Sequence, residues 1–333
     1  MILVCGEALV DLFVDAPQEG EMPARAVAGG SPFNVAIGLA RLGVAAGFLG
    51  GLSRDHFGQM LAGRLAKEGV DTGFLVRSER LSTISVVATG ADGQPSYAFH
   101  GEGAADRSLM PAELPQSLSA EVEALTFGSY SMVAEPGASA FATLAEREGR
   151  RRVISVDPNL RPGVEPDMAR WRAMGERFYR SATIVKASDE DVRLAWEDRF
   201  SLADAAQYWL ACGAALVVIT RGAEGALGFS RAGSVAVAPR PAAVRDTVGA
   251  GDSFHAALLA QLSRSGRLRR EAIAALELSE IEELLGYAAG AAAITVSRRG
   301  AALPTAAEID SVLAAGRGRK GFSPLPSRNP PLR

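Results

Sequence analysis

One seven-residue stretch, Asp246 to Asp252, combines acids and glycines directly before an apolar, helix-like run. Gly249, Ala250 and Gly251 are small enough to let the backbone turn tightly and to expose N–H groups at a helix start, which is an anion-binding arrangement. Because a carboxylate at Asp252 repels a phosphate, it fits there only if it holds an incoming hydroxyl and accepts its proton. The stretch therefore predicts phosphoryl transfer to an alcohol, although a plain turn capped by Asp252 explains the same residues.

A second stretch, Gly29 to Asn34, has residue types suited to a polyhydroxyl ligand. Ser31 is predicted to cap a helix that has Pro32 at its first position. Gly30 lets the backbone approach a ligand closely, and the Asn34 amide offers both a donor and an acceptor. The alternative is that the two glycines only form a flexible entry to the helix.

Polar residues follow several short apolar runs in the second half of the chain. Asp157, Ser188 and Thr220 each stand at the end of such a run, and open α/β sheets bind ligands at the carboxyl ends of their strands. Turns and helix starts use the same residue types, so each segment also has a purely structural interpretation. The further candidates in these segments are Arg161, Lys186, Glu190, Asp191, Gly222 and Gly225.

The order of apolar runs predicts the elements that position these residues. Runs alternating with helical segments indicate a mostly parallel sheet covered on both faces, a three-layer α/β/α domain. A first strand from Ile2 to Gly6 is expected to continue toward Asp11. Two further runs, Leu81–Thr89 and Ser96–Phe99, interrupt the alternation, so we predict a separate small sheet with a turn at residues 91–93. A hairpin is predicted from residues 227–230 and 235–238.

Composition narrows the function classes. With 333 residues, one large domain with an appendage is expected. A net charge of −3 provides no field for nucleic acid, and no run of about 18 apolar residues predicts a membrane span. Cys5 and Cys212 are not spaced like a disulfide or metal-binding pair, which favours a reducing compartment. The start of the chain has the pattern of a strand and not of a signal peptide, so we expect a cytoplasmic location.

Together these motifs resemble the ribokinase-like sugar kinases of the PfkB family. Asp246 to Asp252 resembles the C-terminal signature of that family, and Gly29 to Asn34 resembles its N-terminal sugar signature in the fructokinase branch. Asp157 to Arg161 is similar to its Asp-Pro-Asn-x-Arg segment, and Thr220 to Gly225 to its Thr-x-Gly-x-x-Gly nucleotide loop. The resemblance covers roughly Ile2 to Ala314.

The resemblance implies a kinase domain over residues 1–315, with a small β-sheet lid built from about 12–28 and 81–108. Residues 316–333, rich in Pro and Arg, are predicted to be a disordered tail. The implied reaction is ATP-dependent phosphorylation of a sugar hydroxyl with Mg²⁺, and the family pattern allows a homodimer through the lid. The expected partners are thus a small sugar and ATP, without nucleic acid or membrane.

The resemblance also implies roles for individual residues. Asp252 is the base, and the N–H groups of Gly249, Ala250 and Gly251 form the anion hole. Where the family usually has Asn-x-x-Glu for magnesium, this chain has Ser188 and Asp191, and Glu190 is the alternative acid for that role. The predicted sugar ligands are Asp11, Gly30, Asn34, Phe99, Arg107, Arg161 and Asp252. The predicted nucleotide and ion ligands are Lys186, Ser188, Thr220, Gly222, Gly225, Gly249 and Gly251 for ATP, Asp191 for Mg²⁺, and Asp246 with the Val248 carbonyl for K⁺.

For the substrate, fructose leads, with phosphorylation at the 6-position. A 2-keto-3-deoxygluconate kinase is the nearest alternative, although the expected lid arginine is missing where Tyr97 to Glu102 stands. Ribose and nucleosides rank lower, and a catalytically silent sugar sensor on the same fold stays open. The sequence contains no P-loop and no Gly-x-Gly-x-x-Gly after the first strand. His56, His100 and His255 are not spaced like metal ligands, so we expect them to be structural or exposed.

Overall fold

The computed structural model of the protein describes residues 1–17, 19–89, 95–197 and 199–318. The strands are β1 (Ile2–Cys5), β2 (Leu9–Val14), β3 (Ala24–Gly29), β4 (Ala46–Ser53), β5 (Leu75–Ser78), β6 (Ile84–Thr89), β7 (Pro95–His100), β8 (Ala124–Gly128), β9 (Val153–Asp157), β10 (Ile184–Ser188), β11 (Leu216–Thr220), β12 (Ala226–Ser230) and β13 (Gly233–Val237). The helices are α1 (Ser31–Arg41), α2 (His56–Lys67), α3 (Gly137–Glu148), α4 (Met168–Tyr179), α5 (Asp189–Trp196), α6 (Leu202–Cys212), α7 (Ala250–Arg264), α8 (Arg270–Ala274), α9 (Leu278–Val296) and α10 (Ala306–Gly318).

A nine-stranded sheet in the order β13-β12-β11-β10-β9-β8-β1-β4-β5 forms the centre of the protein. The pairs from β5 through β11 are parallel, whereas β12 and β13 form an antiparallel hairpin at one edge. This confirms the predicted mostly parallel sheet and the predicted hairpin. Each parallel strand ends at the same edge, so the polar residues that follow the strands gather there.

Two apolar clusters cover the two faces of this sheet. Because side chains alternate along a strand, Ile2 and Val4 of β1 pack in one cluster while Leu3 and Cys5 pack in the other. The first cluster contains residues of α1, α2, α7, α8, α9 and α10, and the second contains residues of α3, α4, α5 and α6. The arrangement is the predicted three-layer α/β/α architecture, and it holds α1 and α7 side by side.

A separate four-stranded sheet has the order β3-β2-β6-β7. It confirms that the residues around 84–100 leave the main sheet, although the turn predicted at 91–93 lies outside the described residues. The expectation that the first strand continues toward Asp11 was wrong. β1 pairs with β4 and β8 in the large sheet, whereas β2 pairs with β3 and β6 in the small one, and the chain passes between them at Gly6, where φ is +155°.

Two predicted boundaries, the start of α1 and the end of the domain, differ from the structure. The predicted cap at Ser31 was wrong, because Gly30 is the N-cap of α1 and the Ser31 side chain bonds elsewhere. The predicted domain end at residue 315 falls inside α10, which runs to Gly318, and the rest of the predicted tail lies outside the described residues. Within the described ranges, no helix combines the length and apolar character needed to cross a bilayer.

Candidate active site

The Asp252 carboxylate is held between two helices. It lies in the first turn of α7 and is almost fully buried. The α1 helix supplies both of its partners, because Ser31 Oγ donates to Oδ1 at 2.6 Å and Asn34 Nδ2 donates to Oδ2 at 2.8 Å. Gly38 allows this close approach, since a Cβ there would lie 2.7 Å from the Cβ of Ala256. The N-terminal and C-terminal motifs therefore meet at one carboxylate.

The turn before α7 is fixed by Asp246. Its carboxylate accepts the Val248 N–H at 3.0 Å and the Gly300 N–H at 2.7 Å. Gly249 follows with φ +77°, a left-handed conformation that favours glycine, and a Cβ there would meet Ala301 at 2.7 Å. The Ala250 N–H donates to the Thr247 carbonyl at 3.3 Å. Of the three amides predicted for the anion hole, those of Gly249 and Gly251 meet no acceptor among the described residues.

A buried ion pair lies beside this turn. Lys186 Nζ donates to Asp157 Oδ2 at 2.7 Å, and both side chains are nearly inaccessible to solvent. A Cβ placed on Gly251 would lie 3.2 Å from Lys186 Nζ, so the ammonium reaches the start of α7. Burial alone lowers the pKa of Lys186, but the neighbouring Asp157 carboxylate outweighs burial and raises it. Lys186 is therefore a fixed positive charge where the sequence predicts a phosphate.

His255 belongs to the same buried network, which sequence reasoning missed. Its Nε2 lies 2.7 Å from Ser155 Oγ, and its Nδ1 lies 3.8 Å from Asp157 Oδ2. Burial, helped by the Lys186 charge, lowers the pKa of His255 to about 3, so the imidazole is neutral. Its place three residues after Asp252 could have predicted this, because residues three apart lie on the same face of a helix.

Asp11 lies on β2 of the small sheet, where the charge of Arg161 acts on it. Burial raises the pKa of Asp11, against a hydrogen bond from Ser85 and the positive charge of Arg161, while the Asp252 carboxylate raises it further. The Arg161 guanidinium donates to its own neighbour, the Leu160 carbonyl, at 3.0 Å. Gly30 stands at the entry of α1 with φ +108°. The charges of Arg161 and Asp252 therefore both act on the Asp11 carboxyl group.

Phe99 and Arg107 both contact Tyr130. The rings of Phe99 and Tyr130 are 6.2 Å apart, and the Arg107 guanidinium carbon lies 4.9 Å from the Tyr130 ring centre. Arg107 lines a polar cavity together with Glu102 and Glu165. Among the described residues no hydrogen bond joins Arg107 to Asp11 or Asp252, so its predicted role in sugar binding stays a prediction.

The polar side chains at the end of β10 and the start of α5 hydrogen-bond to other groups of the protein. Ser188 caps α5, and Ser188 with Asp191 forms a capping box. Both Asp191 oxygens accept hydrogen bonds, Oδ1 from the Leu160 N–H at 2.7 Å and Oδ2 from the Ser188 N–H at 2.8 Å. Glu190 is exposed and lies 3.8 Å from Arg193. The roles predicted for Ser188 in nucleotide binding and for Asp191 at magnesium stay predictions.

The predicted nucleotide loop follows β11. Thr220 Oγ1 lies 3.3 Å from the Ala187 carbonyl at the end of β10. Gly222 begins a short 3₁₀ turn and Gly225 follows it. Both glycines have positive φ, and a Cβ on Gly225 would lie 2.0 Å from the Val237 carbonyl. Within the described residues, no group of three or more His, Cys, Asp or Glu side chains could hold a metal ion.

Glu7 provides a pH-dependent test of the buried site. It connects β1 with β2, is almost fully buried, and burial raises its pKa from 4.5 to about 7, against a hydrogen bond from Ser129. Between these values the native state holds a proton that the unfolded chain has lost, so stability falls as pH rises. We expect this group to remove about 3 kcal/mol of unfolding free energy between pH 4.5 and 7.

Denaturant unfolding of wild type and Glu7→Gln across that pH range measures this contribution. Asp157, whose pKa burial raises to about 6, gives a slope of the same sign in both proteins, so only the difference between the two curves belongs to Glu7. The wild-type curve should descend more steeply. Parallel curves would contradict a raised pKa at Glu7.

Comparison with known proteins decides the family. Residues 1–308 match the family model described as "pfkB family carbohydrate kinase". The protein belongs to this family. A fructokinase of Rhizobium leguminosarum bv. trifolii is 42% identical over 278 residues, covering 83% of this chain and 84% of that protein.

Solved structures agree with the family and with the predicted ribokinase-like fold. A fructokinase from Xylella fastidiosa with bound ATP superposes with a TM-score of 0.86 at 27% identity, over 95% of this chain and 98% of that chain. A fructokinase from Vibrio cholerae O395 with fructose, ADP and a calcium ion superposes with a TM-score of 0.79 at 27% identity, over 94% and 98%. This pfkB-family kinase therefore shares its architecture with kinases that bind a sugar and an adenine nucleotide.

Proposed function

We propose that this carbohydrate kinase is an ATP-dependent fructokinase that converts fructose to fructose 6-phosphate. The observation that carries the proposal is the Asp252 carboxylate, held by Ser31 and Asn34 at the start of α7, next to Gly251, which the buried Lys186 ammonium reaches. An acid, a helix N-terminus and a fixed cation meet there, which suits a hydroxyl and a phosphoryl group in contact. The Rhizobium relative and the fructose-bound Vibrio structure support fructose as the sugar.

In the proposed reaction the 6-hydroxyl oxygen attacks the γ-phosphorus of ATP. As the new O–P bond forms, the bond from the γ-phosphorus to the bridging oxygen breaks and ADP leaves with that electron pair. The hydroxyl proton passes to Asp252, whose orientation Ser31 and Asn34 fix. Asp11, Gly30, Asn34 and Arg161 hold the sugar in this proposal, with Phe99 beside it.

Charge stabilisation carries more of the catalysis than basicity. Aspartate is a much weaker base than a sugar alkoxide, so proton transfer comes late in a loose transition state. The N–H groups of Gly249 and Gly251 and the Lys186 ammonium would stabilise the negative charge on the transferred oxygens. The Asp157 carboxylate keeps that ammonium in place at 2.7 Å.

ATP binding in this proposal uses the loop Thr220 to Gly225, whose glycines let the backbone approach phosphate. Mg²⁺ would arrive with the nucleotide and keep most of its ligands as phosphate oxygens and waters, which is its usual preference. A potassium ion near Asp246 and the Val248 carbonyl stays a prediction. The Asp246 carboxylate already orders that turn through two backbone amides.

Two broader predictions accompany the function. We propose that the kinase acts in the cytoplasm, since both cysteines are free thiols and the reaction needs ATP. We also propose that the lid sheet contributes to a homodimer. Among the described residues, the large apolar side chains exposed on or next to it are Met22, Leu81 and Tyr97.

A coupled ADP-release assay over fructose, 2-keto-3-deoxygluconate, ribose and adenosine tests the substrate. We expect kcat/KM for fructose to exceed that for each of the others by at least about 100-fold, because sites built to hydrogen-bond specific hydroxyls reject analogues that leave polar groups unpaired. Highest activity on the keto acid would overturn the assignment in favour of the alternative kinase. ADP release with none of the four would favour the catalytically silent sugar sensor.

A further inference from the structure

An aromatic cavity lies between α4, α5 and α6, on the far side of the segment that carries Arg161. Its volume is about 150 Å³. All three tryptophans of the protein contribute to its wall. The aromatic residues of the wall are Trp171, Tyr179, Trp196, Tyr208 and Trp209, and its charged residues are Arg172 and Asp191.

The rings hold one another in place, so the cavity has a defined shape. Trp196 and Trp209 pack edge to face with centres 5.5 Å apart, and Tyr179 packs against Trp209 at 5.8 Å. Trp196 also stacks on Phe200 at 4.9 Å with the two planes nearly parallel. An engineered apolar cavity of this volume in another protein binds benzene, so the space suits a single small ring.

One polar group in the wall is incompletely paired. Trp209 is almost fully buried, and its Nε1 donor has the Tyr179 hydroxyl beside it but makes no hydrogen bond of ordinary geometry among the described residues. The equivalent donor of Trp171 is satisfied by the Glu165 carbonyl at 2.9 Å. Buried donors are nearly always well paired, so the Trp209 N–H can still take a better-placed acceptor. The half-buried Arg172 adds positive charge at the same wall while donating to the Ala195 carbonyl.

The cavity shares its wall with the active-site segment. Pro158 and Leu160 line it, and the Leu160 N–H donates to Asp191, which also lines it. Asn159 lies between them with φ +40°, a left-handed conformation that costs free energy for a non-glycine residue. Arg161, whose charge acts on Asp11, comes next in the chain. A molecule in the cavity would therefore contact the segment that leads to Arg161.

We propose that this cavity binds a small planar aromatic molecule carrying a hydrogen-bond acceptor, and that occupancy alters sugar binding through residues 158–161. The ring would fill the space between the tryptophans. Its acceptor would meet the Trp209 N–H.

Thermal unfolding of the full-length protein with phenol or toluene tests the site, because the two probes have the same shape and only phenol has an acceptor. At 10 mM, phenol should raise Tm by about 2 °C or more, and by more than toluene does. Ala195→Leu places a side chain in the cavity and should abolish the shift, whereas Ala203→Leu, on the exposed face of α6, should retain it. No shift in wild type, or an equal shift in Ala195→Leu, would overturn the proposal.

Trp209→Phe provides a second variant that does not depend on filling the cavity. It removes the indole N–H but keeps a ring, so the preference for phenol over toluene should fall at least threefold. Titration of the remaining tryptophan fluorescence, excited at 295 nm, measures both affinities. An unchanged preference would contradict the role of the Trp209 donor.

The coupling to sugar binding rests on the proposed function, and its readout is separate. Saturating phenol should change KM for fructose at least twofold in wild type and leave Ala195→Leu unchanged. Binding by Tm and fluorescence with no change in KM would remove the coupling. Absence of any kinase activity would remove the proposed function instead, since neither binding measurement depends on turnover.

Discussion

Replacing Asp252 with asparagine is expected to reduce kcat for fructose by about 10³-fold while KM for fructose changes by less than about threefold. The amide keeps the shape of the carboxylate but cannot accept the hydroxyl proton. The Ser31 hydroxyl can turn to accept from the new amide N–H, while Asn34 keeps its bond to the remaining oxygen, so the fold is expected to persist. Loss of turnover with retained sugar affinity separates proton acceptance from binding.

The measurement is steady-state ADP release over a range of fructose concentrations. Ser31→Ala is the matched control, since it keeps the carboxylate and removes one of its two donors. We expect it to reduce kcat by about tenfold or less, in line with loss of one charge-assisted hydrogen bond. If Asp252→Asn retained near-wild-type kcat, Asp252 could not be the base.

Lys186→Met is expected to lower the free energy of unfolding by about 3 to 5 kcal/mol at neutral pH, because it leaves the Asp157 carboxylate buried without its partner. The loss should be smaller at pH 5. Burial already raises the pKa of Asp157 to about 6, and without the ammonium that pKa rises further, so the side chain takes up a proton. Denaturant unfolding at both pH values measures the effect.

The double variant Lys186→Met/Asp157→Asn separates the structural from the catalytic consequence of this pair. Replacing both charges should recover most of the stability, since no buried charge is left unpaired. Turnover should stay at least about 100-fold below wild type, because the cation proposed to meet the phosphate is still missing. Recovery of both stability and turnover in the double variant would show that Lys186 serves only as the partner of Asp157.

Much of the fold followed from the order of residues along the chain. Continuous apolar runs such as Leu216 to Ile219 predicted buried parallel strands, and they form them. The predicted hairpin after residue 226 is present as β12 and β13. The local errors lie where tertiary contacts outweigh local preference. Ser31 has the residue type of a cap, but its hydroxyl bonds Asp252, 221 positions away.

The two motifs, the parallel sheet and the small sheet could be predicted from the order of residues, because they depend on local backbone preference and on periodicity of apolar residues. Which groups meet depends on how the elements pack. Lys186 and Asp157, or His255 and Ser155, lie far apart in sequence, and strand order together with the packing of α7 brings them within hydrogen-bond distance. The same holds for the three tryptophans around one cavity. Periodicity indicates that a side chain is buried, whereas its neighbours depend on how whole elements pack.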